Sequence, residues 1–132
     1  MNNKTLIDKA ASVVRAKQVK AGMIGDVGSA LLAENGKVYL GVCLDVGSNT
    51  VCAEQNAIGN MMVEGESKIV KIVAVWKDKQ GKLFVIPPCG NCRQYIKDID
   101  NQNLDAKVVL DVEKEVLLRE LLPFHDWWQA QK

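Results

Sequence analysis

The chain has 132 residues, of which 48% are hydrophobic and 25% are charged, and its formal net charge is +1. This length can enclose a hydrophobic core, so we expect one domain over residues 1–132. The near-neutral charge, without a basic stripe interleaved with aromatic residues, argues against a nucleic-acid partner. No segment reaches transmembrane length and the amino-terminal residues lack a cleavage pattern, so we expect no membrane partner and a cytoplasmic protein.

The first half of the chain predicts a helix, a hairpin and a second helix. Residues 5–17 carry apolar side chains at positions 6, 7, 10, 13 and 14, the spacing of a helical stripe. Residues 26–44 predict a β-hairpin, because two apolar runs flank the turn signal Asn35-Gly36. Residues 52–65 predict a helix that begins near Cys52 and stops at Gly65.

The second half predicts two more helices between strands. Residues 68–76 are nearly all apolar, which favours a buried central strand, and residues 83–86 extend or follow it. Residues 89–99 predict a helix, residues 106–112 a strand, and residues 112–122 a short helix or turn before a proline. The resulting order, α-β-β-α-β-α-β-α, indicates an α/β fold with helices packed on the faces of one sheet.

The cysteines are the most informative residues. In a reducing compartment they are thiols or metal ligands more often than disulfides. Cys89 and Cys92 form a Cys-x-x-Cys at a helix start, and Cys52 stands at another helix start. Helix amino ends favour thiolates. Three thiolates meeting at one point would hold a zinc ion and leave its fourth position open, the arrangement of a catalytic site.

Glu54 follows Cys52 by two residues, in the first helical turn. From there a carboxylate can reach a water at the open position, take its proton and deliver it to a substrate. Zinc deaminases use this constellation, including a variant with three cysteines. Three thiolates on Zn²⁺ leave a net charge of about −1, and Arg93 is the cation that we expect to compensate it.

Other interpretations of these residues remain open. The Cys-x-x-Cys alone is compatible with a redox pair. Cys43 could supply a fourth thiolate and close the zinc site, which would make the chain a non-enzymatic ligand-binding or scaffold domain. Cys43 is equally compatible with a small buried residue, Arg93 with a surface or subunit contact, and Asp45 with a cap at the start of a loop.

Two motifs in order carry a resemblance to a known family. "VCAEQNAI", residues 51–58, with "PPCGNCRQ", residues 87–94, resembles the cytidine deaminase superfamily signature Cys-Ala-Glu … Pro-Cys-Gly-x-Cys-Arg-Gln. Residues 27–42 resemble the first hairpin of the family and residues 119–123 its carboxy-terminal segment. The likeness implies a three-layer α/β/α fold with a five-stranded mixed sheet. It also implies a homotetramer whose sites lie near subunit contacts.

The same resemblance implies roles for individual residues. It makes Cys52, Cys89 and Cys92 the zinc ligands and Glu54 the proton shuttle of a hydrolytic deaminase that releases ammonia. It further implies that the backbone carbonyls near Ala53 and Pro88 contact the amine of the substrate.

Departures from the family pattern bear on the substrate. Nucleoside-type members have a Phe where this chain has Gly25, and an Asn-x-Glu where it has Cys43-Leu44-Asp45. Gln55 stands where the family frequently has Arg. The stretch from Cys43 to Cys52 has the length seen in blasticidin-S deaminases, which also share the Arg-Glu-Leu-Leu-Pro ending. We therefore expect a cytosine-like substrate: cytidine, deoxycytidine or an analogue such as blasticidin S.

Because Gly25 replaces the Phe of nucleoside-type members, other residues must supply the apolar surface of the substrate pocket. We expect Cys43 and Asp45 to contact the substrate. Phe124 and Trp127 lie in "FHDWW", the densest aromatic cluster of an aromatic-poor chain. We expect them to cover a zinc site, that of a neighbouring subunit in the homotetramer.

Overall fold

A computed structural model describes all of residues 1–132. The first half contains α1 (Asn3–Ser12), β1 (Lys17–Val19), β2 (Gly22–Ala33), β3 (Val38–Val46), β4 (Asn49–Val51) and α2 (Ala53–Val63). The second half contains β5 (Ile69–Lys77), β6 (Leu83–Ile86), α3 (Gly90–Ile99), a 3₁₀ helix (Asn101–Asp105), β7 (Lys107–Asp111), β8 (Lys114–Leu117) and α4 (Leu118–Leu121). None of the helices is long and apolar enough to cross a membrane.

The strands form one mixed sheet in the order β4-β3-β2-β5-β7-β8, with β1 paired to β2 and β6 paired to β5. Only β5 and β7 run parallel. The mixed sheet is confirmed, but it has eight strands and not the predicted five. The three strands that the sequence did not predict, β1, β4 and β8, have 3 or 4 residues each. Segments this short show too little two-residue alternation to be recognised in a sequence.

One further expectation about the chain is confirmed only in part. Residues 112–122 were predicted as a short helix or turn, but Lys114–Leu117 form β8 and only Leu118–Leu121 are helical. Antiparallel pairing with β7, which places Val116 opposite Val108, decides the conformation. Val116 then packs against the larger core cluster. The long-range pairing overrides a local pattern that is compatible with a helix.

Helices cover both faces of the sheet. On one face Leu6, Ile7 and Ala10 of α1 pack against strand residues that include Val73 and Val75. On the other face Ile58 of α2 and Ile96 of α3 join the larger cluster of 12 buried residues. The three-layer α/β/α architecture predicted from the sequence is confirmed.

Helix α2 lies unusually close to strand β3. A Cβ atom at Gly41 would overlap the backbone nitrogen of Ala57 and the carbonyl oxygen of Ala53. Two asparagines of α2 satisfy backbone groups of β3 on either side of Gly41. Asn56 Oδ1 accepts from the Val42 N–H at 2.9 Å, and Asn60 Nδ2 donates to the Leu40 carbonyl at 2.7 Å. These contacts fix the position of the first turn of α2, where the predicted site residues lie.

Candidate active site

Two helix starts bring three sulfur atoms together. Cys52 is the N-cap of α2, Cys89 is the N-cap of α3, and Cys92 lies in the first turn of α3. The Sγ atoms of Cys52 and Cys89 are 3.9 Å apart, those of Cys89 and Cys92 are 3.4 Å apart, and all three lie within 4.8 Å of one another. Tetrahedral Zn–S bonds of about 2.3 Å place sulfurs about 3.8 Å apart. The cysteine group therefore fits a zinc ion.

Burial and hydrogen bonds shift the pKa values of the three thiols differently. Burial raises the pKa of Cys52 and of Cys92. Burial also acts to raise the pKa of Cys89, but the backbone N–H of Cys92 and hydrogen bonds from the other two thiols lower it overall. The amide of Gln55 donates to Cys92 Sγ at 3.9 Å. Because zinc binds thiolates, its binding must release the protons of the two thiols with raised pKa.

Glu54 is a buried carboxyl group beside the cysteines. Glu54 lies in the first turn of α2, and only 5% of its surface is exposed to solvent. Burial raises its pKa, because a low-dielectric surrounding disfavours the charged form. A carboxyl group with a raised pKa can both accept and return a proton near neutral pH, which general acid–base catalysis requires.

Glu54 and two of the cysteines line a cavity of about 260 Å³. This size suits a small molecule at the lower end of the usual range of ligand sites. The other walls come from β2, β3, β4, the end of β6 and the segment before α3. They include Asp26, Val27, Cys43, Asp45, Thr50 and Ile86.

Cys43 lies in a wall of this cavity and outside the metal group. Its thiol donates to Asp26 Oδ1 at 3.0 Å and accepts from the Val27 N–H at 3.4 Å. Burial raises its pKa, and the hydrogen bond to Asp26 acts in the same direction. The metal-binding group consists of Cys52, Cys89 and Cys92 alone. The geometry therefore gives no support to a closed site with four cysteines.

The remaining predicted contacts are divided between the cavity and its surroundings. Ala53 and Asp45 line the cavity, and Asp45 Oδ1 accepts from the Thr50 hydroxyl at 3.0 Å. Pro87 lines the cavity, whereas Pro88 is buried behind it. The Pro88 carbonyl accepts from Arg93 Nε at 2.9 Å.

Arg93 is held by backbone carbonyls. In addition to Pro88, its guanidinium donates to the carbonyl of Leu121 at 3.2 Å. The bond to Leu121 connects α3 with α4, and the bond to Pro88 connects α3 with the segment before it. The hydrogen bonds support a structural role for Arg93, and its predicted effect on the charge of the metal group stays a prediction.

The aromatic cluster of the carboxy terminus lies away from this cavity. Phe124 and Trp127 are 78% and 69% exposed, and their rings meet edge to face with centroids 5.8 Å apart. Neither residue lines the cavity of its own chain. Their predicted contact with the site of a neighbouring subunit stays a prediction.

Sequence reasoning missed five residues of the cavity, and two of them, Asp26 and Thr50, are polar. Asp26 lies in β2 at an irregularity of its pairing with β3 between Ile24 and Gly28. Such irregularities change the direction of side chains, so alternation along the strand does not predict where Asp26 lies. An aspartate inside an otherwise apolar strand was the available signal.

Comparison with known proteins identifies the family. Residues 1–107 match the family model described as the cytidine and deoxycytidylate deaminase zinc-binding region. The chain belongs to this deaminase family. The match covers Cys52, Glu54, Cys89 and Cys92, so zinc is the metal that the cysteine group fits.

Curated relatives of the chain carry two kinds of name. It is 35% identical over 102 residues to a cytidine deaminase of Sporosarcina psychrophila, which covers 74% of the chain and 71% of the relative. It is 31% identical over 106 residues to a blasticidin-S deaminase of Bacillus cereus, with 74% of each chain covered. A third relative, cytidine deaminase 3 of Arabidopsis thaliana, is 33% identical over 129 residues and covers 89% of the chain. The chain spans only 54% of that relative's length, and 30% of the cytidine deaminases from Actinobacillus pleuropneumoniae.

Solved structures agree on the fold. The cytidine deaminase of Mycobacterium tuberculosis superposes with a TM-score of 0.76 at 23% identity, covering 98% of this chain and 99% of that chain. The cytidine deaminase of Bacillus anthracis superposes with a TM-score of 0.74 at 21% identity, covering 93% and 88%. The deaminase family fold predicted from the two cysteine motifs is thus confirmed.

Proposed function

We propose that the protein catalyses the zinc-dependent hydrolytic deamination of a cytosine-like ring and releases ammonia. The observation that supports this most directly is the position of Glu54. Its buried carboxyl group lines the same cavity as Cys52 and Cys89, at the edge of a three-sulfur group with zinc-like spacing. A structural zinc site needs no buried carboxylate beside it, whereas hydrolysis needs a group that moves protons.

Cys52, Cys89 and Cys92 hold the zinc in this proposal. The bound metal supplies a Lewis acid that makes water nucleophilic at neutral pH. Glu54 accepts a proton as water adds to the ring carbon that bears the amine. It delivers this proton to the adjacent ring nitrogen, then takes the proton of the new hydroxyl group and passes it to the amine nitrogen. The carbon–nitrogen bond breaks, ammonia leaves, and a ring carbonyl remains. Burial of Glu54 supports these transfers, because it brings the pKa of the carboxyl closer to neutrality.

Cavity residues around Glu54 orient the substrate. We propose that the backbone carbonyl of Ala53 accepts from the exocyclic amine, since Pro88 lies outside the cavity and its carbonyl already accepts from Arg93 Nε. The carboxylate of Asp45, which the Thr50 hydroxyl holds, accepts from hydroxyl groups of the sugar. Cys43 contributes a neutral thiol to the wall. Cytidine, deoxycytidine and blasticidin S are the substrates that the names of the relatives suggest.

We also propose a homotetramer in which Phe124 and Trp127 cover the site of a neighbouring subunit. The exposure of both rings supports this, since a large exposed aromatic pair marks an interaction surface more often than a solvated one. The proposal places the protein in a reducing cytoplasm, which keeps its four thiols free.

Ammonia release and the accompanying change in ultraviolet absorbance test the activity. The zinc-loaded protein is incubated with cytidine, deoxycytidine, cytosine and blasticidin S. We expect turnover of at least one of them, and a loss of several orders of magnitude in Glu54→Gln with zinc content unchanged. Glutamine keeps the size of the side chain but cannot carry the proton. A folded, zinc-loaded wild-type protein that releases no ammonia from any of the four compounds would contradict the proposal.

A further inference from the structure

The charges around the cavity are of one sign. Its lining includes the three carboxyl groups of Asp26, Asp45 and Glu54, and it includes no lysine, arginine or histidine. Three thiolates around a zinc dication add a net charge of about −1. The fixed charges that face a bound molecule are therefore negative.

Asp26 is held in the wall by two neutral donors. Its Oδ1 accepts from the thiol of Cys43 at 3.0 Å, and its Oδ2 accepts from the indole N–H of Trp76 at 3.2 Å. These bonds fix the carboxylate without neutralising it. A carboxylate has about four acceptor positions, so each oxygen can accept from a ligand as well. Asp26 is thus an oriented negative group with acceptor capacity on the cavity side.

No salt bridge compensates this charge within the chain. Neither Asp26 nor Asp45 takes part in any of the seven ion pairs. Lys77 and Lys79 line a separate, smaller cavity of about 120 Å³ that also contacts Asp26. Both lysines are exposed, so water and salt screen their effect.

We propose that Asp26 is a specificity residue of this site. Together with Asp45 it selects cytosine-like substrates whose ring substituent carries a positive charge or several N–H donors, and it disfavours phosphorylated substrates. The inference rests on the proposed deaminase function and names the class of substituent that the site accepts. An ionic interaction across a partly hydrated cavity changes affinity by about tenfold or more, which is enough to rank substrates.

A series of three substrates isolates the charge. Cytidine, 5′-amino-5′-deoxycytidine and cytidine 5′-monophosphate share the ring and the ribose and differ at one position. With the zinc-loaded enzyme we expect kcat/KM to rise by about tenfold for the amino compound relative to cytidine. We expect a fall of at least about tenfold for the monophosphate. Asp26→Asn should reduce the ratio of the amino compound to cytidine by about threefold, because Asp45 remains.

Asp8→Asn is the matched control, because it makes the same change of charge at an exposed residue of α1 outside the cavity. It should leave every ratio unchanged. If Asp26→Asn does not fold, Asp45→Asn must reduce the same ratio, since it removes an exposed carboxylate from the same cavity. The inference would be overturned if Asp26→Asn or Asp45→Asn folds and keeps the wild-type ratio of kcat/KM for the amino compound to kcat/KM for cytidine.

Binding without turnover gives a second readout. Calorimetry should show that 5′-amino-5′-deoxyuridine binds more tightly than uridine, and uridine more tightly than uridine 5′-monophosphate. In Asp26→Asn the differences between these affinities should be smaller. Turnover of cytidine with equal rates and affinities across the charge series would refute the inference and leave the proposed function standing. No turnover of any cytosine compound would refute the proposed function and this inference with it.

Discussion

Gly41→Ala tests whether the close approach of α2 to β3 sets the geometry of the site. The new Cβ atom would come within 3.0 Å of two backbone atoms of α2, those of Ala53 and Ala57. Backbone atoms cannot rotate away, so the helix must move by about 1 Å, and overpacking of this kind costs about 1–3 kcal/mol. The movement also stretches the bonds of Asn56 and Asn60 to β3, which contribute about 1 kcal/mol each. We expect a loss of about 2–4 kcal/mol in the free energy of unfolding.

The kcat/KM of Gly41→Ala should fall by more than the loss of folded protein alone would explain. Ala53 precedes Glu54 and follows Cys52, so the shifted turn carries both the carboxyl group and a zinc ligand. A misplacement of about 1 Å costs about a hundredfold in rate. The measurements are urea denaturation, zinc content and ammonia release at a temperature where the variant is folded.

Gly59→Ala is the matched control for this substitution. Gly59 lies in the same helix, is exposed, and a Cβ atom there would meet nothing within 4 Å. Alanine has the higher helix propensity, so this variant should gain about 0.5–1 kcal/mol and keep its activity. If Gly41→Ala kept the wild-type stability and kcat/KM, the close packing of α2 on β3 would not set the geometry of the site.

Three more predictions concern the metal, the salt bridges and the carboxy terminus. Cys43→Ala should retain about one zinc per chain by metal analysis, whereas Cys89→Ala should lose it; equal losses would restore the closed four-cysteine site. Burial acts to raise the pKa of Glu115, but the ammonium groups of Lys71 and Lys107 outweigh it, and the pKa is lowered. The ionised Glu115 therefore stabilises the fold above its unfolded-state pKa of about 4.3. This stabilisation is lost as the pH falls through the folded-state pKa of Glu115. The stability difference between wild type and Glu115→Gln, under about 1 kcal/mol, should therefore shrink from pH 7 to pH 3 in urea titrations. Deletion of residues 124–132 should lower kcat/KM in a protein that light scattering shows to be oligomeric, and an active wild-type monomer would exclude a shared cover.

Each half of the metal group could be predicted from sequence because its geometry is local, whereas the family resemblance implied that the two halves, 37 residues apart, meet. Cys89 and Cys92 are three residues apart at a helix start, and Cys52 and Glu54 share the first turn of another helix. Such spacings fix directions within one turn, whatever the rest of the chain does. The same logic failed for β8, whose conformation depends on pairing with β7 and not on its own residues.

The substrate side of the cavity depends on contacts between residues that are distant in the chain. Asp26 is 17 residues from Cys43 and 50 residues from Trp76, the two groups that hold its carboxylate. Neither sequence separation corresponds to the repeat of a helix or a strand, so no sequence motif predicts this arrangement. The motifs of α2 and α3 therefore determine which reaction the site can carry out. Strands β2 and β3 supply Asp26 and Asp45, two of the three carboxyl groups that line the cavity. We expect single substitutions in these strands to change specificity without altering a zinc ligand or Glu54.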